Sequence, residues 1–262
     1  MSRDPVVLSD LDERGVLTVT LADEENRNAL GAHLIAELAD ILDEADADPA
    51  VRVIVLTNRG HVFCAGANLR ERSSDAASPP DRPARRVDPL DVFARFRSSP
   101  KPYVGRIAGH CVAGGMGLAA AMDISVAIDE AKFGFTEVRI GVAPAMISVL
   151  CLPKMRRADA KAAMLRGNRF LAPEAVEMGL INAAVPADQL NAEVDAIVSD
   201  LLLGGPDAIA ATKQLTEHVP NMAVDDAFEW TKQLSNELFR GPQAQEGMKA
   251  FLEKRPPVWP VD

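Results

Sequence analysis

The chain has 262 residues, 48% of them hydrophobic and 25% charged, and carries a formal net charge of −10. These totals allow one substantial buried core and argue against disorder. They also argue against a nucleic-acid binder, which needs clustered Lys and Arg to neutralise phosphates and aromatic platforms for unpaired bases; aromatics make up only 5% here.

Cys64, Cys111 and Cys151 lie far apart and form no CxxC pair, so neither a disulfide framework nor a zinc knuckle is expected. The opening "MSRDPVVLSDLDERG" lacks the apolar core of a signal peptide. No run approaches the roughly 18 apolar residues of a membrane span. A cytoplasmic protein that binds neither membrane nor nucleic acid is the expectation.

In chain order, "GVLTVTLAD" (15–23) alternates and is rich in β-branched residues, which predicts a strand. Leu34, Leu38, Ile41, Leu42 and Ala45 then recur at helical spacing, and Pro49 marks the end of that helix. "VRVIVLTN" (51–58) is a continuous apolar run of strand length, the kind buried on both faces in an α/β protein. "RGHVFCAGANLRER" leads through a loop to a helix start with Asn68 as its cap.

Residues 72–89 are biased to Ser, Pro, Ala, Arg and Asp, and read as a mobile insertion or lid. A short helix follows in "PLDVFARFRSS", then a strand in "PKPYVGRIAGHCV", a buried helix in "GMGLAAAMD" and a strand in "DISVAI". "AKFGFTEVRIGVAP" is irregular and contains Glu137. From residue 148 the pattern is mostly helical: two segments to "APEAVEMG", then three amphipathic ones to "FLEKRPP". No internal repeat is visible. Strands and helices alternate first and helices dominate later, so the class is α/β with a helical C-terminal portion.

The stretch "AGHCVAGGMGLA" (108–119) places Gly114, Gly115 and Gly117 within four residues, after a predicted strand and before a predicted helix. Gly115 to Ala120 matches G-x-G-x-x-A, a dinucleotide fingerprint, with Asp129, Glu130 and Glu137 all in range as the ribose acid. The glycines also suit close helix–strand packing alone. A third reading is an oxyanion hole, since backbone N–H groups at a helix N-terminus stabilise a developing negative oxygen. Such a hole takes two donors from two loops, and "HVFCAGANL" supplies a second small-residue turn in which the Ala67 N–H serves.

"RNAL", "VFCAGANLRE", "IAGHCVAGGMGLAAAMDI", "FGFTEVRIGVAP", "APEAVEMGLINAAVP" and "MKAFLEKRPP" together resemble the enoyl-CoA hydratase/isomerase (crotonase) superfamily, in order and spacing, over nearly the whole chain. The pattern around Glu137 is nearest to methylglutaconyl-CoA-type hydratases. The resemblance implies a crotonase-like ββα-superhelix spiral core over 1–200 and a helical C-terminal trimerisation region over 201–262. It also implies a homotrimer or dimer of trimers, an acyl-CoA thioester substrate, and no metal or redox cofactor. By motif position, the N–H groups of Ala67 and Gly114 would form the oxyanion hole. Ala29, Leu30, Ala65, Asn68 and Leu69 would contact substrate, with Phe251 and Lys254 in the element that closes over the acyl-CoA.

Hydratases of this family commonly pair two glutamates across the site. Glu137 matches the second of these, whereas the first position, three residues after Gly114, is Gly117. Hydration by Glu137 alone is the reading preferred on sequence. Δ-isomerisation by one glutamate and non-catalytic acyl-CoA binding are the alternatives. His110 is a possible substitute acid, although a histidine at a strand end is more often structural. Glu137 itself could be an ordinary carboxylate ion-paired with Arg139. Cys64 and Cys111 read as small buried hydrophobes. Asn68 stands where the family usually has Asp, and Glu25 where a basic residue often meets the CoA nucleotide. Arg27, Arg70 and Lys254 are the remaining candidates for phosphate pairing.

Overall fold

Every residue of the strand Val53–Asn58 is buried, so this segment must be covered on both faces. In the computed structural model, which describes residues 4–73 and 85–259, it is the third strand of ten: β1 (Val7–Leu11), β2 (Val16–Leu21), β3 (Val53–Asn58), β4 (Val62–Cys64), β5 (Tyr103–Ile107), β6 (His110–Val112), β7 (Ile124–Ile128), β8 (Lys132–Gly134), β9 (Phe170–Leu171) and β10 (Ala183–Val185). The α-helices are α1 (Ala32–Ala47), α2 (Leu69–Arg72), α3 (Pro89–Ser98), α4 (Gly114–Ala121), α5 (Ala145–Cys151), α6 (Arg157–Arg166), α7 (Ala172–Glu177), α8 (Leu190–Leu203), α9 (Pro206–His218), α10 (Val224–Arg240) and α11 (Pro242–Glu253).

Two sheets form. The larger runs β1-β2-β3-β5-β7-β10, parallel except for the β1–β2 hairpin. The smaller runs β4-β6-β8-β9, with β4, β6 and β8 parallel. Alternation along β3 serves both faces of the larger sheet. Ile54 and Leu56 join the main core with Leu34, Leu38 and Leu42 of α1, whereas Val53 and Val55 pack with Leu190, Val194 and Val198 of α8.

The chain visits the two sheets alternately. β3 to β4 to α2, β5 to β6 to α4, and β7 to β8 to a 3-10 helix (Thr136–Ile140) are three turns of a ββα spiral. Because β4, β6 and β8 are neighbours in one parallel sheet, the ends of these turns stack on each other. Ala67, Gly114 and Glu137, two or three residues beyond those strands, are thereby brought to one place.

Several sequence expectations need correction. "PKPYVGRIAGHCV" is two strands in different sheets, β5 and β6. A Cβ at Gly109 would lie 2.6 Å from the His61 carbonyl, so the glycine lets the chain pass His61 between sheets. The irregular stretch before Glu137 contains β8, and the mostly helical C-terminal part contains the short strands β9 and β10. Four helices, α8 to α11, follow α7 among the described residues where three segments were expected. The proposed lid over 72–89 lies largely outside the described residues. Its described C-terminal part is anchored: Arg85 pairs with Asp40 at 2.5 Å and with Asp43 at 2.7 Å.

Lys213 ties α9 to the core. Its nearly buried ammonium donates to Lys101 O (2.7 Å), Phe96 O (3.2 Å) and Asp123 Oδ2 (2.7 Å), and Asp123 also accepts the Tyr103 N–H at 2.7 Å. Removing one partner of a buried pair strands the other. Lys213→Ala is therefore expected to lower the unfolding free energy by about 3 kcal/mol, measured by urea denaturation; a change within error would show that the pair is not holding α9.

Candidate active site

The turn after β4 is pinned by a parallel bridge between Leu30 and Ala67: the Leu30 N–H donates to Gly66 O at 2.7 Å, and the Asn68 N–H donates to Leu30 O at 3.5 Å. Ala67's own N–H takes no part in this pairing and finds no protein acceptor among the described residues. The Gly114 N–H, at the first position of α4, is likewise without an acceptor, as the opening donors of a helix are. Gly66, with φ +87°, lies directly against the second turn. A Cβ there would sit 2.6 Å from Ala113 Cβ and 2.8 Å from Gly114 N. The two candidate oxyanion donors therefore come from backbones in contact.

Ala113, between β6 and α4, has φ 50° and ψ −124°, a conformation strained for any residue with a Cβ. It is held there from both sides: its N–H donates to Gly134 O at 2.9 Å, and its carbonyl accepts from Met116 N at 2.8 Å.

Leu30, Ala65, Ala67, Leu69, Gly114 and Glu137 all line one cavity of about 860 Å³, within the size range of small-molecule sites. Among the described residues, Glu137 is the only acid in its lining, and Glu137 Oε2 has no hydrogen-bond partner. Burial pushes its carboxyl above the ordinary glutamate value, with a backbone N–H of its own residue partly offsetting the effect. Arg139 lines the same cavity but forms no ion pair with Glu137 among the described residues. An ion-paired surface carboxylate is therefore not what the structure contains.

The other candidates separate. Ala29 is buried behind Leu30 and does not line the cavity. Asn68 caps α2, accepting from Arg70 N at 3.1 Å and donating to Glu71 at 2.7 Å, while Glu71 accepts the Ala32 N–H at the start of α1. Phe251 and Lys254 stand on and just after α11, exposed and away from the cavity lining. Arg27 and Arg70 are exposed and also outside it.

His110 Nδ1 accepts the Lys132 N–H at 3.1 Å. Burial, then Lys132 and Arg169, push its pKa down, and it does not line the cavity, so its role is structural. All three cysteines are buried, and the thiols of Cys64 and Cys151 are pushed up to about 12, far from a reactive thiolate.

Each glycine of the cluster has its own reason. Gly114 approaches Leu30 and Gly66, Gly115 approaches the Cys64 carbonyl, and Gly117 approaches Ile147. None of these contacts needs a dinucleotide. Sequence reasoning missed Phe93, Arg72, Arg169 and Ile147 in the lining. Arg72, Arg139 and Arg169 form no ion pair among the described residues, and only their chemistry, not their spacing, marks them.

A family model described as enoyl-CoA hydratase/isomerase matches residues 12–261. A putative enoyl-CoA hydratase of Thermus thermophilus is 36% identical over 248 residues, covering 94% of this chain and 98% of the relative. A mevalonyl-coenzyme A hydratase of Aspergillus fumigatus is 32% identical, covering 93% of this chain and 91% of the relative. Among solved structures, an enoyl-CoA hydratase from Mycobacterium smegmatis superposes with a TM-score of 0.87 at 29% identity, covering 98% of this chain and 99% of that one.

The raised pKa of Glu137 sets a sign for stability. The folded state holds this proton to higher pH than the unfolded chain does. No penalty exists below the unfolded pKa, and stability falls as pH rises through the window up to the folded pKa. Glu137→Gln removes that titration. Its melting temperature is expected to exceed wild type at about pH 7 and to converge with it toward about pH 4. Thermal denaturation across that range checks this; a variant less stable at neutral pH would contradict it.

Proposed function

The chain belongs to the enoyl-CoA hydratase/isomerase family, and we propose that it adds water across the double bond of a 2-enoyl-CoA thioester in acyl-CoA metabolism. The observation that carries this reading is Glu137, whose Oε2 has no partner among the described residues, in a cavity also lined by Ala67 and Gly114, whose N–H groups find no acceptor there.

The thioester oxygen sits between the N–H groups of Ala67 and Gly114. Glu137 takes a proton from water as the water oxygen bonds to C3, and the C2=C3 electron pair moves to the thioester as an enolate. The two N–H groups stabilise the charge that develops there. When the enolate collapses, the same Glu137 returns its proton to C2, so one H and one OH are added and the enzyme is restored. This sequence of steps calls on no metal and no redox cofactor.

Arg72, Arg139 and Arg169 on the cavity wall suit a polyanionic ligand such as a CoA thioester, since guanidinium matches phosphate and carboxylate geometry. Phe251 and Lys254 are assigned to the part of the acyl-CoA that extends beyond the cavity.

The same proposal includes a homotrimer or dimer of trimers. α10 buries none of its residues within its own chain, and Val224, Phe228 and Phe239 are exposed along it. An amphipathic helix of this kind needs a partner for its apolar face. A cytoplasmic location rests on the sequence expectation alone.

The test is incubation with crotonyl-CoA, following loss of the enoyl thioester absorbance and identifying 3-hydroxybutanoyl-CoA. Glu137→Gln is expected to lower kcat by about 10²–10⁴ with little change in acyl-CoA binding. Turnover of a 3-enoyl-CoA but not of crotonyl-CoA would assign the isomerase reaction instead.

A further inference from the structure

Gly117 follows Gly114 by three residues on α4, which places it on the same helix face, one turn further along. The space above it is filled. A Cβ at Gly117 would lie 2.5 Å from Ile147 Cγ2, 3.1 Å from Ile147 Cβ and 3.2 Å from Phe93 Cζ. Ile147, on the first turn of α5, and Phe93, on α3, are each 4% exposed, and both line the cavity. A β-branched side chain in a helix has essentially one χ1 rotamer, so Ile147 cannot swing its branch away. The position where the family commonly has its first glutamate is thus occupied by a fixed methyl branch.

We propose that Ile147 is a specificity-determining residue: its Cγ2 branch over Gly117 closes the space beside the acyl α-carbon and excludes acyl groups substituted there. The inference rests on the orientation proposed above, with the thioester oxygen at the Ala67 and Gly114 N–H groups. The α-carbon is one bond from that carbonyl carbon, and the wall one helical turn on from Gly114 is the surface that meets it. A straight-chain acyl group presents only hydrogen to this wall, whereas a methyl substituent meets Ile147 Cγ2. One packing contact therefore accounts for two features, a single-acid site and a preference for unbranched α-carbons.

Butanoyl-CoA and 2-methylpropanoyl-CoA have the same atoms and differ only in a branch at the α-carbon. Their dissociation constants, measured by calorimetry, read the wall without any turnover. The wild-type protein is expected to favour butanoyl-CoA by roughly tenfold, the scale of one misplaced methyl group in an apolar pocket. Ile147→Val keeps Cβ and Cγ2 and is expected to keep that ratio. Ile147→Leu conserves volume but moves the branch one carbon outward, so the ratio is expected to fall toward one; Ile147→Ala should do the same by deletion. Equal wild-type affinity for the two ligands, or a ratio in folded Ile147→Leu that matches Ile147→Val, overturns the proposal. Intact binding preference without hydration of crotonyl-CoA sinks the catalytic reading alone. Hydration without any binding preference sinks this inference alone.

Discussion

Two lengths of backbone, residues 66–67 and 113–114, lie against each other with no side chain between them, and the site depends on that contact. Gly66 has no room for a Cβ, since Ala113 Cβ and Gly114 N would both be within 2.8 Å of it. Ala113 accepts a strained conformation held by two backbone hydrogen bonds. The contact follows from the pairing of β4 with β6, whose register joins Cys64 to Cys111 directly behind the two turns. Strain stored beside the candidate donors is a feature that functional sites hold at the expense of local stability. The surrounding core, from Phe63 and Phe133 to Met116, is fully buried and supplies the rigidity that keeps it there.

The same pairing principle extends to the third turn. β8 follows β6 in the parallel order, so the 3-10 helix bearing Glu137 arrives at the edge of the cavity already framed by Ala67 and Gly114. Three residues separated by 70 positions in the chain become one constellation because each stands two or three residues past a strand of one small sheet. The spiral is a structural repeat that the sequence does not show. Each turn carries a different ending: a four-residue helix, a glycine-led buried helix, and a 3-10 helix.

That difference explains what was legible beforehand. Long periodic segments declared themselves: the α1 stripe of Leu34, Leu38 and Leu42 is buried as its spacing predicts, and β3 is covered on both faces as its continuous apolar run predicts. Asn68 caps α2 as its residue type suggests. The short strands of the small sheet, two or three residues each, carry no period to detect, so the ββα spiral is legible only through family resemblance and its division into two sheets not at all. Small-residue turns before helix starts point to backbone donors at Ala67 and in the glycine cluster, whereas Gly114 in particular and Glu137 are singled out by motif position. Ile147 was not found at all. Its importance lies in a contact with Gly117 across 30 residues of chain, and an isoleucine in an apolar stretch looks like any other core residue.

The Gly117–Ile147 contact also bears on how a single carboxylate would manage the proposed hydration. A lone acid must first accept a proton from water and then deliver one to carbon, so its two forms must both be accessible near the working pH. Burying Glu137 without giving Oε2 a partner among the described residues raises its proton affinity, which strengthens it as the base of the first step and brings its protonated and ionised forms closer to balance near neutral pH. A second carboxylate at residue 117 would supply a like charge in the same apolar space and alter that balance. Ile147 and Phe93 instead keep that side of the cavity apolar, so the wall that leaves no room for a side chain at residue 117 adds no charge to the space shared with Glu137.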